Sequence, residues 1–367
     1  MLRIGIVGYP TLGGSGMVAA SLAKELAKRG FEVHFFSYKI PFPMVDDPHI
    51  SNFHFHRVNL ETYPLFRETG MNYGFQLASC LLKVARTKTL DLINTHYAIP
   101  HAMSAVLARI ETGIPVVNTL HGSDVHTLGN SPSFKETLRM VLKRARTTAV
   151  SGFLANMAKD VFELDRSPKV IYNFVDANKF TPKKEKENLT IVAAGNFRPV
   201  KNFPFLVECY AELAKEYPDW KLRMIGDGPE RPLCFKIAMK LDIADHVEFI
   251  PPTKDIPSEF ANASILAAPS KTESFGLTIA EGMSSGLPIW ASNVGGIPEV
   301  CIDGENGLLF NPQNKKEGVE KLRILMDDPT LRSKLGSASR QRIIKHFHPD
   351  KILLDYIEEF KTALDSS

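Results

Sequence analysis

Short apolar runs alternate with amphipathic stretches along the chain, and this alternation restricts the fold more than any other feature. Ile4–Val7, Val33–Ser37, Phe53–Val58, Leu90–Thr95, Val116–Leu120 and Thr148–Ser151 have the length and apolar character of strands. Between most of them lie helical patterns, such as Met17–Arg29, closed by Gly30, and Phe75–Arg86. Strand–helix alternation predicts an α/β fold with a parallel sheet covered on both faces. The polar stretch Thr181–Asn188 (TPKKEKEN) is the best linker. After it the pattern restarts, with strands expected at Thr190–Ala194, Leu222–Ile225, Val247–Ile250, Ser264–Ala268 and Pro288–Ala291. Helices are expected near Phe203–Glu216, near Arg231–Leu241 and from Gly276. Two Rossmann-like domains follow, 1–175 and 176–347. A last helix, Lys351–Leu364, lies in a 348–367 segment expected to pack back on the first.

The length of 367 residues suits two such domains. The net charge of +3 gives no reason to expect nucleic-acid binding. Cys80, Cys209, Cys234 and Cys301 form no Cys-x-x-Cys pair and read as buried thiols of a reducing compartment. The N-terminus reads as a first strand and not as a signal peptide, and no segment offers the ~20 apolar residues of a membrane span. The expectation is a cytoplasmic protein.

The first strand runs into G-Y-P-T-L-G-G-S-G, which holds Gly8, Gly13, Gly14 and Gly16 ahead of a helix. The spacing is wrong for Gly-x-Gly-x-x-Gly, the second strand ends without an acidic residue, and Gly-Lys-Ser/Thr is absent. A loop contacting a phosphate or a substrate carboxylate is favoured over a bare turn. In the second half, Arg198 and Lys201 follow a strand in a loop where open α/β sheets bind ligands, and the two cations suit a diphosphate or are a solvated surface pair. The segment E-S-F-G-L-T-I-A-E places Glu273 in a loop, Glu281 in the second turn of a helix, and the Phe275 and Gly276 amides at its N-terminus. Carboxylates accept hydrogen bonds from vicinal sugar hydroxyls. Each glutamate also has an ordinary reading, as a helix-surface residue or a charge complementing the helix dipole.

E-S-F-G-L-T-I-A-E closely resembles the E-x7-E signature of the family 4 retaining glycosyltransferases. Arg198-x-x-Lys201, the G-D-G-P-E turn (Gly226–Glu230), S-N-V-G-G-I-P-E (Ser292–Glu299) and N-G-L-L-F (Asn306–Phe310) resemble the same family in order and spacing. The resemblance implies GT-B architecture, two Rossmann-like domains facing across a cleft. It implies that Arg198 and Lys201 hold the donor diphosphate and that Glu281 binds the ribose. Glu273, with the amides of Phe275 and Gly276 and neighbouring Leu277, would hold the transferred sugar and the β-phosphate. Gly14 would approach that phosphate from the other domain. Asn173 and His121, in its H-G-S-D context, are similar to family residues near the donor sugar. The sequence contains no Asp-x-Asp, so cations and amide dipoles are expected to do a metal's work, with no cofactor. Arg198, Lys201, Glu273 and His121 are the expected catalytic residues.

The N-terminal segments T-H-Y-A-I-P-H-A (Thr95–Ala102), T-L-H-G-S-D-V-H-T-L-G (Thr119–Gly129), S-G-F-L-A-N (Ser151–Asn156) and I-Y-N-F-V-D (Ile171–Asp176) carry a finer resemblance. They are similar to a subfamily that joins N-acetylglucosamine to L-malate at the start of bacillithiol biosynthesis, with Ser123 standing where a threonine is expected. The resemblance implies UDP-N-acetylglucosamine as donor, a small dicarboxylate as acceptor, and a homodimer. Ser15, Tyr97, Thr119 and Arg139 are expected to contact the acceptor. Arg139, Lys143 and Arg146 would share one face of a helix over Ser133–Ala145. The alternatives are a family member acting on a lipid or polysaccharide and a UDP-N-acetylglucosamine 2-epimerase. His54 and His56 share a strand face, but without an evident third ligand they are read as a surface face and not a metal site.

Overall fold

The structure is a computed structural model that describes residues 2–11, 13–41, 44, 50–61, 72–88, 90–183 and 189–366. Residues 184–188 of the expected linker lie outside the described residues. The chain divides into two units, Met1–Asn173 with Pro349–Ser367, and Phe174–His348.

Among the described residues the first unit is a parallel sheet of seven strands in the order β3-β2-β1-β4-β5-β6-β7. They are β1 (Arg3–Val7), β2 (Glu32–Ser37), β3 (Phe53–Arg57), β4 (Leu92–His96), β5 (Val116–Leu120), β6 (Arg146–Ala149) and β7 (Lys169–Val170). Every residue of β4 and β5 is buried, as expected of central strands with helices on both faces. On one face α1 (Ser15–Lys28) buries Val18, Ala19, Leu22, Ala23 and Leu26 at helical spacing. The opposite face holds Val7, Phe36 and Ile93 against Leu77, Leu81 and Val84 of α2 (Asn72–Lys88) and Ala102, Ala105 and Val106 at α3 (Met103–Thr112). Two further helices follow in this unit, α4 (Pro132–Arg144) and α5 (Gly152–Phe162).

The second unit is a parallel sheet in the order β10-β9-β8-β11-β12-β13. Its strands are β8 (Thr190–Ala194), β9 (Lys221–Ile225), β10 (Val247–Ile250), β11 (Ile265–Ala268), β12 (Ile289–Ser292) and β13 (Gly307–Phe310). The helices are α6 (Phe203–Ala214), α7 (Arg231–Lys240), α8 (Ile256–Ala261), α9 (Leu277–Ser284), α10 (Ile297–Val300), α11 (Lys315–Asp327) and α12 (Pro329–His346). One core cluster gathers α6, α7 and α11 over β8 and β9. In it Trp290 stacks on Phe310 at 4.2 Å, and its indole N–H donates to the Gly318 carbonyl at 2.9 Å. The other face is tied by Arg340 of α12. Its guanidinium donates to the carbonyls of Ala177, Phe180 and Ser284, the last residue of α9.

The last helix, α13 (Pro349–Asp365), belongs to the first unit. It packs on α1 and on β4 and β5. Its buried Glu359 accepts from Arg146 at 2.7 Å. Here the sequence expectation for Arg146 needs correction. Helix α4 stops at Arg144, Ala145 is extended, and Arg146 opens β6, so it does not share a face with Arg139 and Lys143. Cys209, Cys234 and Cys301 are buried free thiols, whereas Cys80 is only half-buried. No helix among the described residues is long and apolar enough to cross a membrane.

Candidate active site

In the second unit the chain leaves β8 for β9 on one side and later crosses to β11 on the other, so the loops after β8 and β11 meet at a topological switch point. Arg198 and Lys201 stand on the first loop and Glu273 on the second. Lys201 Nζ lies 2.6 Å from Glu273 Oε2, with both side chains partly open to solvent. Arg198 is exposed, and among the described residues its guanidinium has no ion-pair partner. The Lys271 N–H donates to the Val200 carbonyl at 2.8 Å and ties the two loops together.

Two glycine turns hold these loops from behind. In G-D-G-P-E, a Cβ on Gly226 would sit 2.1 Å from the Gly195 carbonyl oxygen, so only glycine lets the β9 turn approach the β8 loop. Phe197 N–H donates to Asp227 O, and Glu230 N–H to Phe197 O, both at 2.9 Å. After β12, Gly295 comes equally close to the Glu273 backbone, and Gly296 N–H donates to the Glu273 carbonyl at 2.9 Å. These contacts give a physical reason for the glycines of G-D-G-P-E and S-N-V-G-G-I-P-E.

Helix α9 begins at Leu277 behind Gly276, whose φ of 92° lies in the left-handed region that favours glycine. Its first N–H groups have no intrahelical acceptor, so the loop ends on an anion-attracting helix start. Phe275 is buried and packs edge-on against Phe347, 5.6 Å away. Glu281 is not a plain surface glutamate. Only part of its side chain reaches solvent, and burial pushes its carboxyl up to about 7, against a smaller downward pull from Lys179.

The first unit has its own switch point between β1 and β4. Gly14, with φ 62°, caps α1, and Ser15 opens that helix at the end of the glycine-rich loop. Tyr97, just after β4, has φ 99°, a strained value for a side-chain-bearing residue. Its hydroxyl is 2.9 Å from that of Ser123, and its ring is 6.0 Å from Tyr9. His121 Nε2 lies 2.9 Å from His96 Nδ1, and His96 Nε2 lies 3.0 Å from Asn94 Oδ1. With Asn94 accepting, neutral His96 carries its proton on Nε2, so His121 donates through Nε2 and keeps its lone pair on Nδ1. Burial, followed by the His101 imidazole, holds His121 down to about 3. Asp124 accepts from the N–H groups of Gly122, at 2.8 Å, and His121. Burial still pushes its carboxyl up to about 6. Sequence reasoning missed Asn94, His96 and Asp124 as parts of this cluster. The H-x-x-D spacing of H-G-S-D was the available signal for Asp124.

Two expected acceptor residues stand differently. Thr119 is fully buried, and its hydroxyl accepts from Thr148 at 3.0 Å, so it offers no surface to a ligand here. Arg139 is paired with Glu163 at 2.9 Å. Asn173 is buried, and its Oδ1 has no hydrogen-bond partner among the described residues.

The model described as "Glycosyltransferase Family 4" matches residues 12–179, and that described as "Glycosyl transferases group 1" matches residues 174–342. The chain is 33% identical to N-acetyl-alpha-D-glucosaminyl L-malate synthase of Bacillus anthracis, over 97% of this chain and 95% of that protein. Among solved structures, a glycosyltransferase from Rickettsia africae superposes with a TM-score of 0.82 at 20% identity, covering 100% of this chain and 99% of that one. HepE of Anabaena, solved in complex with UDP and glucose, superposes with a TM-score of 0.78 at 20% identity, covering 99% of this chain and 100% of that one. Two Rossmann-like parallel sheets with these structural neighbours define the GT-B fold, and the family matches make the chain a glycosyltransferase. The chain belongs to glycosyltransferase family 4.

Proposed function

We propose that the protein transfers N-acetylglucosamine from UDP-N-acetylglucosamine to L-malate with retention at the anomeric carbon, the reaction that opens bacillithiol biosynthesis. The observation that carries this reading is the Lys201–Glu273 pair, 2.6 Å apart at the switch point beside the start of α9. This donor is supported by the site's chemistry and by the likeness to the malate synthase of Bacillus anthracis, which matches nearly the whole chain.

In this reading Arg198 and Lys201 neutralise the diphosphate, and the amides of Phe275, Gly276 and Leu277 add their dipoles. As the bond from the anomeric carbon to the phosphate oxygen breaks, charge develops on the departing UDP. Preorganised donors of this kind are worth on the order of 3 kcal/mol each. Glu273 accepts from hydroxyls of the transferred sugar, Glu281 from the ribose, and the His121 Nδ1 lone pair from a further sugar hydroxyl. Gly14 brings backbone to the β-phosphate, and Asn173 offers its unpaired Oδ1 to the donor. The malate hydroxyl, placed by Ser15 and Tyr97, attacks the face that UDP leaves and gives its proton to a phosphate oxygen. No side-chain base and no metal ion are needed.

The test is UDP release from UDP-N-acetylglucosamine with L-malate, other small acids, lipid or polysaccharide acceptors, or no acceptor, with and without excess chelator. Malate-dependent release that survives chelation is expected, with an α-linked product by NMR. Preference for a lipid or polysaccharide, sugar turnover without acceptor, or inactivity restored by Mg2+ would each overturn the corresponding part.

A further inference from the structure

The register of β2 against β3 sets His34 beside His54 and Phe36 beside His56. Glu32, His34, His54 and His56 therefore project from one face of the sheet edge. His34 Nε2 is 3.1 Å, and His54 Nε2 3.7 Å, from the same carboxylate oxygen, Glu32 Oε1. The three atoms lie within 4.8 Å of one another. Tetrahedral bonds of about 2.1 Å place ligand atoms roughly 3.4 Å apart, so a small rotation of the exposed His54 ring completes the grouping.

The buried imidazole is also oriented for the task. His34 is 1% exposed, and its Nδ1 is 2.8 Å from His56 Nε2. Without metal, Nε2 donates to the Glu32 carboxylate; an ion bound there displaces that proton, and the ring then carries its proton on Nδ1 and donates to His56 Nε2, leaving the Nε2 lone pair to the metal. Metal-binding histidines are commonly held in this way, by a hydrogen bond from the second ring nitrogen. We propose that Glu32, His34 and His54 bind one divalent transition-metal ion of the Zn2+ type, with His56 positioning His34 and water filling the remaining coordination.

Two imidazoles and one carboxylate favour Zn2+, Co2+ or Ni2+ over Mg2+ and Ca2+, which prefer all-oxygen shells. Glu32 opens β2 and His54 is the second residue of β3, so the ligands lie toward the N-terminal ends of the strands. The glycine-rich loop follows the opposite end of β1. The metal thus has no part in sugar transfer. It would pin β3, the edge strand, to β2.

Chelator-stripped full-length protein is titrated with Zn2+ by calorimetry and with Co2+ by visible absorption, and Tm is read with and without metal. The expected result is one equivalent per chain, a tetrahedral Co2+ spectrum, a raised Tm and no uptake of Mg2+ at the same concentration. His54→Ala and Glu32→Gln should lose the equivalent and the Tm gain, His348→Ala should keep both, and His56→Ala should bind ~10–100-fold more weakly. Transferase activity should be the same in stripped, reloaded and His54→Ala protein. No uptake, equal uptake of Mg2+, or an equivalent that persists in both His54→Ala and Glu32→Gln overturns the proposal. So does activity that falls on stripping and returns with Zn2+.

Discussion

A Cβ on Gly295 would lie 2.0 Å from the carbonyl oxygen of Glu273, so this turn can press on the site loop only while position 295 has no side chain. The glycine also has φ 56°, which disfavours any substituted residue. Gly295→Ala should displace Glu273 without removing a group that touches substrate. The expected outcome is at least a ~10-fold loss in kcat and a stability loss of about 1–3 kcal/mol. Steady-state kinetics beside a urea titration would check it, and unchanged kinetics would show that Glu273 does not need this backing.

Lys201 is expected to act on the departing charge more than on the bound ground state. Lys201→Ala should lower kcat by ~10²–10³-fold with a smaller change in donor affinity. Separate measurements of UDP-sugar binding and single-turnover rate would distinguish the two effects. A variant that lost affinity alone would assign Lys201 to binding.

Glu281 gives a pH signature. Because burial pushes its carboxyl up to about 7, it is protonated in the ligand-free protein at lower pH and ionised above that value. Ribose hydroxyls donate better to the ionised form. Donor affinity, measured by calorimetry with UDP-N-acetylglucosamine, should rise between pH ~6 and ~8, and Glu281→Gln should flatten that rise. For stability the sign is opposite. The folded value lies above the ordinary 4.5, so the benefit of the neutral acid is full below that pH and is lost as pH rises through about 7. Glu281→Gln should therefore gain stability relative to the parent protein at pH 8, by at most about 3 kcal/mol.

His121 should show no titration in the working range. With its imidazole held down to about 3 and that of His101 to about 4, both rings stay neutral. NMR of ring-labelled histidines from pH ~8 to ~5 should find both shifts constant. A midpoint near 6.5 for His121 would remove the Nδ1 lone pair from the proposed role.

Arg340 joins three carbonyls and holds the C-terminus of α9, the helix that carries Glu281. Arg340→Met should cost on the order of 2–3 kcal/mol by leaving those acceptors unpaired. It should also weaken donor binding, which a calorimetric titration on the folded variant would detect.

Strands buried on both faces were legible in the sequence where that burial leaves an apolar string, as in Ile265–Ala268. Lys169–Val170, two residues at a sheet edge, is too short to leave such a signal. Arg146 was misassigned because helical spacing runs on numerically past Ala145, while the backbone has already turned extended. The glutamates and cations of the second unit were legible because their motif is contiguous and its partner loop lies at a known offset. The Lys201–Glu273 contact, the Asn94–His96–His121 chain and the Glu32–His34–His54 cluster depend on which strands lie side by side. Local sequence does not encode that register. The positive φ of Tyr97 left no trace either, since tyrosine is a poor residue for it.

The wiring of α13 has a consequence for how the protein is made. The helix that seals β4 and β5, and that brings Glu359 to Arg146, leaves the ribosome only after the whole second unit has been synthesised. Until then the nascent first unit has an uncovered apolar strip and an unpaired arginine. The second unit, whose strands are contiguous in the chain, is free to fold at once. Order of synthesis and order of completion are thus reversed: the half begun first is finished last.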